Sequence, residues 1–399
     1  MGKNLVLVGG GHAHLACLLH GGEFVGRGHR LKLISPCEYH YYSGMGPGML
    51  GGTYRPQEIR FNIKKMAEER GISFLKDMVS QVEPAKRLLV LASGEKIPYD
   101  IVSFNVGSQV LNLGEEKAEE EVFKVKPISS LFLARQKILS RTGRSPVEIL
   151  VVGGGAAGLE VAGNLWGLAQ RNNRAASITL LAGRSWLGSL PEKARRMVQS
   201  SFRARGIKVL EGPRVISLSC KKAFLDNGMQ IPYELAFLAT GVRPPSIFRA
   251  SGLRVGADGG LLVDHRLQSV EHPEMFGAGD CISLKGQTLD KVGVYAVRQG
   301  RVLLKNLAAA LECENMSSFK AQGKYLLILN LGDGRGIYWR GGIIWQGKLA
   351  FYLKDWIDRR FVRRFQVSGE LEEEETADPE LSLARNPAVE PSDRIPSLR

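Results

Sequence analysis

Residues 5–14 read LVLVGGGHAH and residues 149–158 read ILVVGGGAAG, so an apolar strand runs twice into a turn of three glycines. A stretch rich in leucine and alanine, with helical character, follows each turn. This order of strand, glycine turn and helix opens a nucleotide-binding βαβ unit, in which glycines let the backbone approach a pyrophosphate at the helix N-terminus. One such turn is a weak signal. Two of them, about one small domain apart, indicate a chain that binds two dinucleotides.

Length and composition fit a globular α/β protein with several domains. The chain has 399 residues, of which 44% are hydrophobic and 47 are glycine, and this length is enough for two or three cores. Five scattered cysteines never approach CxxC spacing, which argues against a zinc ribbon and against a secreted disulfide framework. No metal site is predicted. The first strand begins too early for a signal peptide, and no apolar run approaches the ~18 residues of a membrane span. We therefore expect a cytoplasmic protein, with the inner face of the cell membrane as one option.

The net charge of +14 is distributed unevenly. Residues 366–399 contain nine Asp/Glu and three Lys/Arg, a net charge of −6, so residues 1–365 carry +20. A basic body can attract nucleic acid, an anionic membrane or phosphate-rich cofactors. The sequence has neither an arginine–aromatic repeat nor a helix-turn-helix pattern, so nucleic acid is not expected as a partner.

The repeated pattern predicts an α/β fold with two Rossmann-like dinucleotide-binding domains, the second inserted in the first. The first domain comprises residues 1–112 and resumes at 261–322, and residues 113–260 form the inserted domain. Residues 323–366 are expected to form a C-terminal extension with an amphipathic helix. Residues 367–399 are acidic and without periodicity, which predicts a disordered tail. The oligomeric state is left open, a homodimer included.

The predicted helix at residues 348–365 has an apolar face. Apolar side chains recur at i, i+3, i+4 and i+7, and they are Leu349, Tyr352, Leu353, Trp356, Ile357, Phe361 and Phe365. Most charged residues of the segment lie elsewhere on the helix. This pattern is typical of a helix that lies in a bilayer surface. The alternative is a helix packed on the body of the protein or on a dimer partner.

The two glycine turns differ in quality. Gly153, Gly155 and Gly158 fill all three positions of a GxGxxG motif, and Glu160 follows two residues later. In the first turn His14 occupies the third glycine position, where a small residue usually lets the helix pack on the strand. We interpret His12 and His14 as ordinary polar residues of the first helical turn rather than as catalytic groups.

Two further segments complete the pattern. Residues 239–244 read ATGVRP after a strand, and residues 275–280 read MFGAGD. An aspartate after a Gly-x-Gly turn can accept a hydrogen bond from a ribityl hydroxyl while backbone amides face the flavin phosphate. In this order, the four segments resemble the FAD-dependent pyridine nucleotide-disulfide oxidoreductase superfamily. The resemblance covers roughly residues 3–365.

Within that superfamily the chain looks most like the branch of type II NADH dehydrogenases and sulfide:quinone oxidoreductases. It also resembles the flavoprotein module found fused to selenide, water dikinase. The segments that carry this likeness are residues 8–14, YSGMGPGM (42–49), VKP (125–127), VGVYAVRQG (292–300) and KDWIDRRF (354–361). The resemblance implies FAD in the first domain and NADH or NADPH in the second. It also implies hydride transfer from NAD(P)H to flavin, then electron delivery to a quinone or similar acceptor.

The resemblance also implies the site residues. Gly9, Gly11, Gly279 and Asp280 are expected to hold FAD, whereas Gly153, Gly155 and Gly158 are expected to hold the nicotinamide cofactor. Further expected cofactor contacts are Ser35, Gly107, Arg184 and Gly241. The residues expected to act in catalysis are Glu160, which aligns the nicotinamide, Lys126, which can reach the flavin edge, and Gln299 of the quinone-site helix. A surface position is the alternative for Lys126.

The chain departs from its relatives in ways that bear on the acceptor. Disulfide reductases carry a redox cysteine where this chain has Ser43-Gly44-Met45, and residues 38–219 contain no cysteine. Thiol-disulfide and sulfide chemistry are therefore disfavoured. Val294 and Arg298 replace two glutamines of the quinone-site motif. A reductase of a sulfur or selenium species, and a flavin-containing interaction or redox-sensing protein with little turnover, remain as alternatives.

The nicotinamide cofactor is predicted from the strand at residues 177–181. NAD-selective folds place Asp or Glu near the end of this strand to bind the ribose 2′-hydroxyl. Here that position is Ala182, and Arg184 follows two residues later. A guanidinium can bind a 2′-phosphate bidentately. We therefore expect NADPH to be accepted at least as well as NADH, with Arg195 and Arg196 as alternatives to Arg184.

Overall fold

A computed structural model describes residues 2–111, 113, 120–141, 145–184, 186–188, 190–323 and 325–375. The chain up to the first connection between the domains alternates strands with short helices. These elements are β1 (Asn4–Val8), α1 (His12–Leu19), α2 (Gly21–Gly26), β2 (Arg30–Ser35), β3 (Tyr39–Tyr41), α3 (Gly46–Leu50), β4 (Arg60–Asn62), α4 (Ile63–Glu68), β5 (Ser73–Lys76), β6 (Val79–Glu83), β7 (Leu88–Leu91), β8 (Lys96–Pro98), β9 (Ile101–Phe104) and β10 (Gln109–Val110).

The next stretch repeats this strand–helix alternation. Its elements are β11 (Val122–Lys124), α5 (Ser129–Ser140), β12 (Val147–Val152), α6 (Ala156–Arg171), β13 (Ala176–Gly183), α7 (Glu192–Ala204), β14 (Lys208–Glu211), β15 (Val215–Ser219), β16 (Lys222–Leu225), β17 (Gln230–Pro232), β18 (Leu235–Leu238) and β19 (Val242–Arg243).

The last stretch returns to the first domain and then forms the extension. Its elements are α8 (Ile247–Ala250), β20 (Leu261–Val263), β21 (Met275–Gly277), β22 (Ile282–Leu284), α9 (Gly293–Glu312), β23 (Leu327–Asn330), β24 (Gly336–Arg340), β25 (Ile343–Gly347) and α10 (Lys348–Phe365).

The first domain is built on a five-stranded parallel sheet. Its strand order is β21-β9-β1-β2-β5, with Leu5 opposite Leu31 on one side and opposite Ile101 on the other. Residues 5–8 are at most 3% exposed, as expected for a central parallel strand covered on both faces. The edge strand β21 comes from the chain after the insertion, so the returning segment completes this sheet.

The inserted domain repeats the same architecture. Its five-stranded sheet has the order β11-β18-β12-β13-β14, and every pair in it is parallel. Each domain also carries a three-stranded antiparallel sheet, β6-β7-β8 in the first and β15-β16-β17 in the second. The predicted α/β fold with one Rossmann-like domain inserted in another is confirmed.

The two chain segments that connect the domains pair with each other. Strands β10 and β19 run antiparallel, with Gln109 opposite Arg243 and Val110 opposite Val242. Soon after the second of these segments, the ring of Phe248 in α8 packs edge-on against Phe104 of the first sheet at a centroid distance of 5.3 Å. This contact favours a return to the first domain near residue 244. The boundary at 260/261 from the sequence analysis stays a prediction.

The C-terminal extension is fixed to the inserted domain. Strands β23, β24 and β25 form an antiparallel meander, and α6 packs closely against the turn after β23. A Cβ atom added to Gly163 would lie 2.4 Å from the carbonyl oxygen of Leu331, and one added to Gly167 would lie 2.2 Å from that of Gly332. Glycine at these two positions lets the helix backbone touch the extension directly.

Helix α10 confirms the predicted helix, but the prediction of a single apolar face is wrong. Leu349, Tyr352 and Trp356 are 73%, 61% and 59% exposed. Phe361 and Phe365 instead pack against the body, with ring centroids 6.2 and 6.3 Å from Phe61. The buried stripe is rotated from the predicted face, because it repeats every four residues through Ala350, Lys354, Asp358 and Val362. Within the described residues no helix is both long and apolar enough to cross a bilayer.

The described part of the tail contacts the first domain. Glu370 is 1% exposed, and its carboxylate accepts a hydrogen bond from the backbone N–H of Asn62 at 3.1 Å. Glu373 forms an ion pair at 2.7 Å with Arg60, whose side chain is fully buried. The predicted disorder is therefore wrong for residues 367–375, because Glu373 neutralises a buried cation and Glu370 binds the backbone of the first domain. Residues 376–399 lie outside the described residues.

Candidate active site

Asn105 holds the first glycine turn in place. Gly9 has φ +85°, and a Cβ there would lie 2.6 Å from the carbonyl oxygen of Asn105. The Asn105 side-chain oxygen accepts from the N–H groups of Ala13 at 2.9 Å and His14 at 3.3 Å. Its amide donates to the carbonyl oxygen of Ala278 at 2.6 Å. One side chain thus joins both segments predicted to bind FAD.

The start of α1 keeps backbone donors available. Gly11 is the N-cap residue, and within the described chain the N–H groups of Gly11 and His12 have no hydrogen-bond acceptor. Free N–H groups at a helix N-terminus form an anion site. This turn therefore fits the pyrophosphate of a dinucleotide.

His14, at the third glycine position, is fully buried. Its Nδ1 lies 2.6 Å from the carbonyl oxygen of Gly9, and its Nε2 lies 2.8 Å from Oγ of Ser103. Burial lowers the pKa of His14 to about 4, so the ring is neutral. These contacts support the non-catalytic interpretation of His14, although the side chain lies in the core and not on an exposed helical turn.

Lys126 and Asp280 meet between the two domains. Lys126 Nζ lies 2.7 Å from Oδ2 of Asp280 and 2.7 Å from Oγ of Ser108. Ser108 also donates to Asp280, at 2.8 Å. Lys126 follows β11 of the inserted domain, whereas Asp280 follows β21 of the first. The contact brings two predicted site residues together, and it favours a position in the site for Lys126 over a free surface lysine.

Gln299 is buried beside the second FAD segment. Its side-chain oxygen accepts from the N–H of Gly279 at 2.6 Å, and only 2% of the residue is exposed. The side chain thereby fixes the turn that presents Asp280. Its predicted role in catalysis stays a prediction, and this contact favours a positioning role.

The second glycine turn is tightly packed on two sides and open at its centre. A Cβ on Gly153 would lie 2.1 Å from the carbonyl oxygen of Ala239, and one on Gly158 would lie 2.0 Å from that of Gly153. A Cβ on Gly155, the N-cap of α6, would meet no atom within 4 Å. Within the described residues the N–H groups of Gly155 and Ala156 have no acceptor. The turn therefore fits a second pyrophosphate.

The other predicted cofactor contacts lie at the carboxyl ends of strands, where open α/β sheets bind ligands. Ser35 ends β2 and is 5% exposed, and Gly107 follows β9. Gly241 lies between β18 and β19. Arg184 follows β13 directly and is exposed. The structure thus gathers Ser35 and Gly107 near the first turn, and it brings Arg184 and Gly241 to the corresponding edge of the second sheet.

A largely buried ion cluster, which was not predicted from the sequence, consists of the Lys354–Asp358 ion pair and of Glu160, which lies close enough to interact with their charges. Lys354 Nζ lies 2.5 Å from Oδ2 of Asp358 and 2.7 Å from the carbonyl oxygen of Gly44. The hydroxyl of Tyr42 donates to Asp358 at 3.0 Å. Glu160 accepts from the N–H of Asn330 at 2.8 Å. The cluster joins α10, the loop at residues 42–45 and the helix of the second glycine turn.

Burial and charge oppose each other in this cluster. Burial alone would lower the pKa of Lys354, but the carboxylates of Asp358 and Glu160 outweigh it and the pKa is raised. Burial raises the pKa of Glu160, and Lys354 offsets part of this shift. The cluster could have been found from its spacing, since Lys354 and Asp358 continue the four-residue repeat of Ala350 and Val362. The sequence analysis counted them with the polar face.

His12 and His40 form a second polar pair, and both residues are half-buried. His12 Nδ1 lies 3.1 Å from His40 Nε2, and the ring of Phe361 stacks on His12 at a centroid distance of 6.0 Å. Burial, together with the charge of Lys126, lowers the pKa of His12 to about 4. Among the described residues His12 Nε2 is buried and has no hydrogen-bond partner.

A cavity of about 210 Å³ lies between α1, α9 and α10. His12 and the apolar side chains of Val297, Ile357, Phe361 and Phe365 form much of its wall. The cavity lies beside the N-terminal half of α9, the segment that resembles a quinone-site helix.

The described cysteines are not arranged for thiol chemistry. Burial raises the pKa of Cys17 to about 12 and that of Cys281 to about 11, so both thiols are protonated at neutral pH. None of the five cysteines, all of which lie in the described ranges, forms a disulfide bond. No group of His, Cys, Asp and Glu within the described ranges is placed to hold a metal ion.

Two parallel sheets, each with a glycine turn and a helix N-terminus at its carboxyl edge, define a two-dinucleotide-fold oxidoreductase. Residues 3–300 match the family Pyridine nucleotide-disulphide oxidoreductase. The chain belongs to this family, and the sequence-based recognition is confirmed.

The chain is also similar in sequence to individual NAD(P)H-dependent oxidoreductases. The chain is 21% identical over 402 residues to the type II NADH:quinone oxidoreductase of Haemophilus influenzae, covering 87% of this chain and 90% of that protein. It is 23% identical over 316 residues to the internal alternative NAD(P)H-ubiquinone oxidoreductase A1, mitochondrial, of Arabidopsis thaliana. That match covers 67% of this chain and 62% of the plant protein.

Solved structures show the same fold. The sulfide:quinone oxidoreductase of Aquifex aeolicus superposes with a TM-score of 0.74 at 18% identity, covering 93% of this chain and 94% of that one. NDH2 of Plasmodium falciparum, solved in complex with NADH, superposes with a TM-score of 0.75 at 14% identity, covering 93% and 98%.

Family membership confirms the class of activity. The protein is an NAD(P)H-dependent flavoprotein oxidoreductase, and the predicted cofactors, FAD with NADH or NADPH, are confirmed.

Proposed function

We propose that the protein transfers electrons from NAD(P)H through FAD to a quinone or a similar small acceptor. The observation that carries this proposal is the contact between Lys126 and Asp280, at 2.7 Å. It joins the carboxyl edges of the two sheets, so a dinucleotide on each glycine turn would extend toward the other.

In this proposal the first glycine turn binds FAD and the second binds the nicotinamide cofactor. Gly9, Gly11 and Asp280 hold FAD, which, when bound, supplies the redox chemistry between nicotinamide and acceptor. The free N–H groups at the start of α1 bind its pyrophosphate. Lys126 places a positive charge at the inter-domain edge, where it stabilises negative charge on the reduced cofactor.

The second domain holds the nicotinamide cofactor in this proposal. Gly153, Gly155 and Gly158 bind its pyrophosphate, and the guanidinium of Arg184 donates hydrogen bonds to the 2′-phosphate of NADPH. Glu160 lies in the first turns of α6 and orients the nicotinamide end. Its carboxylate is held by the N–H of Asn330 and by the charge of Lys354, so its position is fixed before the cofactor arrives.

A quinone is supported as acceptor by the α9 segment and by the cavity between α1, α9 and α10. The apolar wall of this cavity suits a ring system. The absence of cysteine from residues 38–219, together with the protonated state of Cys281, disfavours a thiol-dependent acceptor.

Membrane contact through residues 348–365 belongs to the same proposal. Leu349, Tyr352 and Trp356 form an exposed apolar stripe on α10, and Arg360 lies over the ring of Trp356 at 5.6 Å. Aromatic and cationic groups together favour an anionic bilayer surface. This arrangement supports a peripheral protein at the inner face of the membrane. The homodimer stays a prediction.

Anaerobic stopped-flow absorbance tests the proposal. The FAD-loaded protein is mixed with NADH or NADPH, and the reduced protein is then mixed with a quinone, with selenite or with polysulfide. We expect flavin bleaching by either nucleotide and fast reoxidation by the quinone alone. Fast reoxidation by selenite or polysulfide would favour a reductase of those species. Slow reoxidation by all three would favour an interaction or sensing protein.

A further inference from the structure

Three arginines line the cavity between α1, α9 and α10. Arg301 comes from α9, and Arg360 and Arg364 come from α10. All three arginines are exposed, and they place positive charge around one cavity of about 210 Å³, to which an anionic group would be attracted.

The described chain supplies no such anion. No carboxylate of the described residues lies within ion-pair distance of Arg301, Arg360 or Arg364. On the same helix Arg359 pairs with Asp355 and Glu58, both at 2.9 Å. Arg360 and Arg364 have no such partner among the described residues, and the same is true of Arg363, which does not line the cavity.

The two α10 arginines are held by aromatic rings. The Arg360 guanidinium lies 5.6 Å from the centroid of Trp356, and that of Arg364 lies 5.4 Å from the centroid of Phe365. Stacking fixes the plane of a guanidinium but leaves its N–H edges free to donate. Together with the apolar wall of Val297, Ile357 and Phe361, this gives the cavity an apolar part and a cationic part.

We propose that this cavity selects an aromatic electron acceptor that carries a negatively charged group. The ring system packs on the apolar wall, and the anionic group accepts hydrogen bonds from Arg301, Arg360 and Arg364. The inference rests on the proposed function, because it assigns the acceptor class of that same site.

Paired acceptors test the inference on the full-length, FAD-loaded protein. The selectivity ratio is kcat/KM for 1,2-naphthoquinone-4-sulfonate divided by kcat/KM for 1,2-naphthoquinone. The different reduction potentials of the two quinones cancel when this ratio is compared between variants. We expect Arg301→Gln, Arg360→Gln and Arg364→Gln each to lower the ratio several-fold, and the triple variant to lower it by more than about tenfold. Arg363→Gln, an exposed arginine of the same helix that does not line the cavity, is the matched control and should change it less than about twofold.

Binding without turnover separates this inference from the proposed function. Equilibrium dialysis of anthraquinone-2-sulfonate, without NAD(P)H, should show weaker binding to the triple variant than to Arg363→Gln. If no quinone is reduced but binding depends on the arginines, the proposed function fails, whereas the part of the inference that concerns binding of an anionic aromatic ligand in this cavity stands. If neutral quinone is reduced while the ratio and the binding are equal in both variants, the inference is overturned and the function stands.

A lipid headgroup is the competing source of negative charge. If the triple variant loses flotation with phosphatidylglycerol vesicles but binds the sulfonate as Arg363→Gln does, the arginines act on lipid and the inference is overturned. Sulfonate binding that is weak in every variant, the wild type included, overturns it as well.

Discussion

Lys126 Nζ lies 2.7 Å from Oδ2 of Asp280. A lysine of the inserted domain thus compensates the negative charge of Asp280, the last residue of the MFGAGD segment in the first domain. Both residues follow parallel strands, and the contact therefore marks the edge where the two dinucleotide sites meet. Asp280 is held in place before any ligand binds, since Ser108 also donates to it.

Asp280→Ala should weaken FAD retention. Loss of a hydrogen bond to a charged group costs about 1.5–3 kcal/mol, which corresponds to a roughly 10- to 100-fold higher Kd. Flavin absorbance after dialysis, and titration of the apoprotein with FAD, measure the change. Glu148→Ala, which removes an exposed carboxylate at the start of β12, is the control. Equal FAD affinity in the two variants would exclude Asp280 as a flavin contact.

The buried histidines should make the protein less stable in acid. His12 and His14 have a pKa of about 4 in the folded chain, below the usual 6.5. As the pH falls from about 6.5 to 4, the unfolded chain binds protons that the folded chain does not. The free energy of unfolding therefore decreases in this pH window, by up to about 3 kcal/mol per histidine. Above about pH 6.5 the two histidines do not change it with pH.

Urea unfolding between pH 7.5 and 4.5 checks this dependence. His14→Asn should be less stable than the wild type at pH 7.5, because one ring hydrogen bond is lost, but its stability should fall less steeply with acid. His20→Asn, which replaces a half-exposed histidine, is the control. An unchanged slope in His14→Asn would mean that His14 is not the group that titrates.

Removing the cation of the buried ion cluster should destabilise the fold strongly. Lys354→Met leaves Asp358 and Glu160 without compensation, which costs about 3–5 kcal/mol for a buried pair. The double variant Lys354→Met/Asp358→Asn should recover part of this loss, because one buried charge is removed with its partner. Urea unfolding at pH 7.5 measures both, with exposed Lys348→Met as the control. A loss no larger than that of Lys348→Met would show that the cluster is solvated.

Arg184→Glu should lower kcat/KM for NADPH far more than for NADH. The exposed guanidinium after β13 lies where a ribose 2′-phosphate is expected, and a carboxylate there repels that phosphate. Flavin reduction rates with each nucleotide measure the ratio. Arg203→Glu, in the last turn of α7, controls for the change in net charge. Equal losses for both nucleotides, or none, would remove Arg184 from the site.

The exposed stripe of α10 should bind anionic lipid. A variant with Leu349, Tyr352 and Trp356 all changed to serine should float less with anionic liposomes, and added salt should weaken binding of the wild type. Changing two exposed apolar residues of the inserted domain, Ile216 and Met229, to serine is the control. If both variants float as the wild type does, α10 does not anchor the protein.

The fold could be predicted because it depends on local signals. Each glycine turn lies between a strand and a helix that are adjacent in sequence, so the motif and the structure coincide residue by residue. The turn of Gly153, Gly155 and Gly158 was located in this way, between β12 and α6. The return of the chain to the first sheet was predictable from the MFGAGD segment alone.

The features that the sequence analysis missed depend on long-range packing. The orientation of α10 is set by Phe61, Tyr42 and Gly44, which lie some 300 residues earlier, so helical periodicity could not show which side is buried. The role of Asn105 was missed for the same reason, because its partners Ala13 and Ala278 come from opposite ends of the first domain. The ordered start of the tail depends likewise on Arg60, a buried cation far from it in sequence.

The position of β21 has a consequence for synthesis on the ribosome. All five strands of the inserted sheet lie between residues 122 and 238, so that domain can fold as soon as this stretch has emerged. The first domain cannot complete its sheet until residues 275–277 are made and add to β9. Although its glycine turn is synthesised first, the N-terminal domain should therefore mature second. Nascent chains whose emerged part ends near residue 260 should show a protease-resistant inserted domain beside a cleavable N-terminal segment.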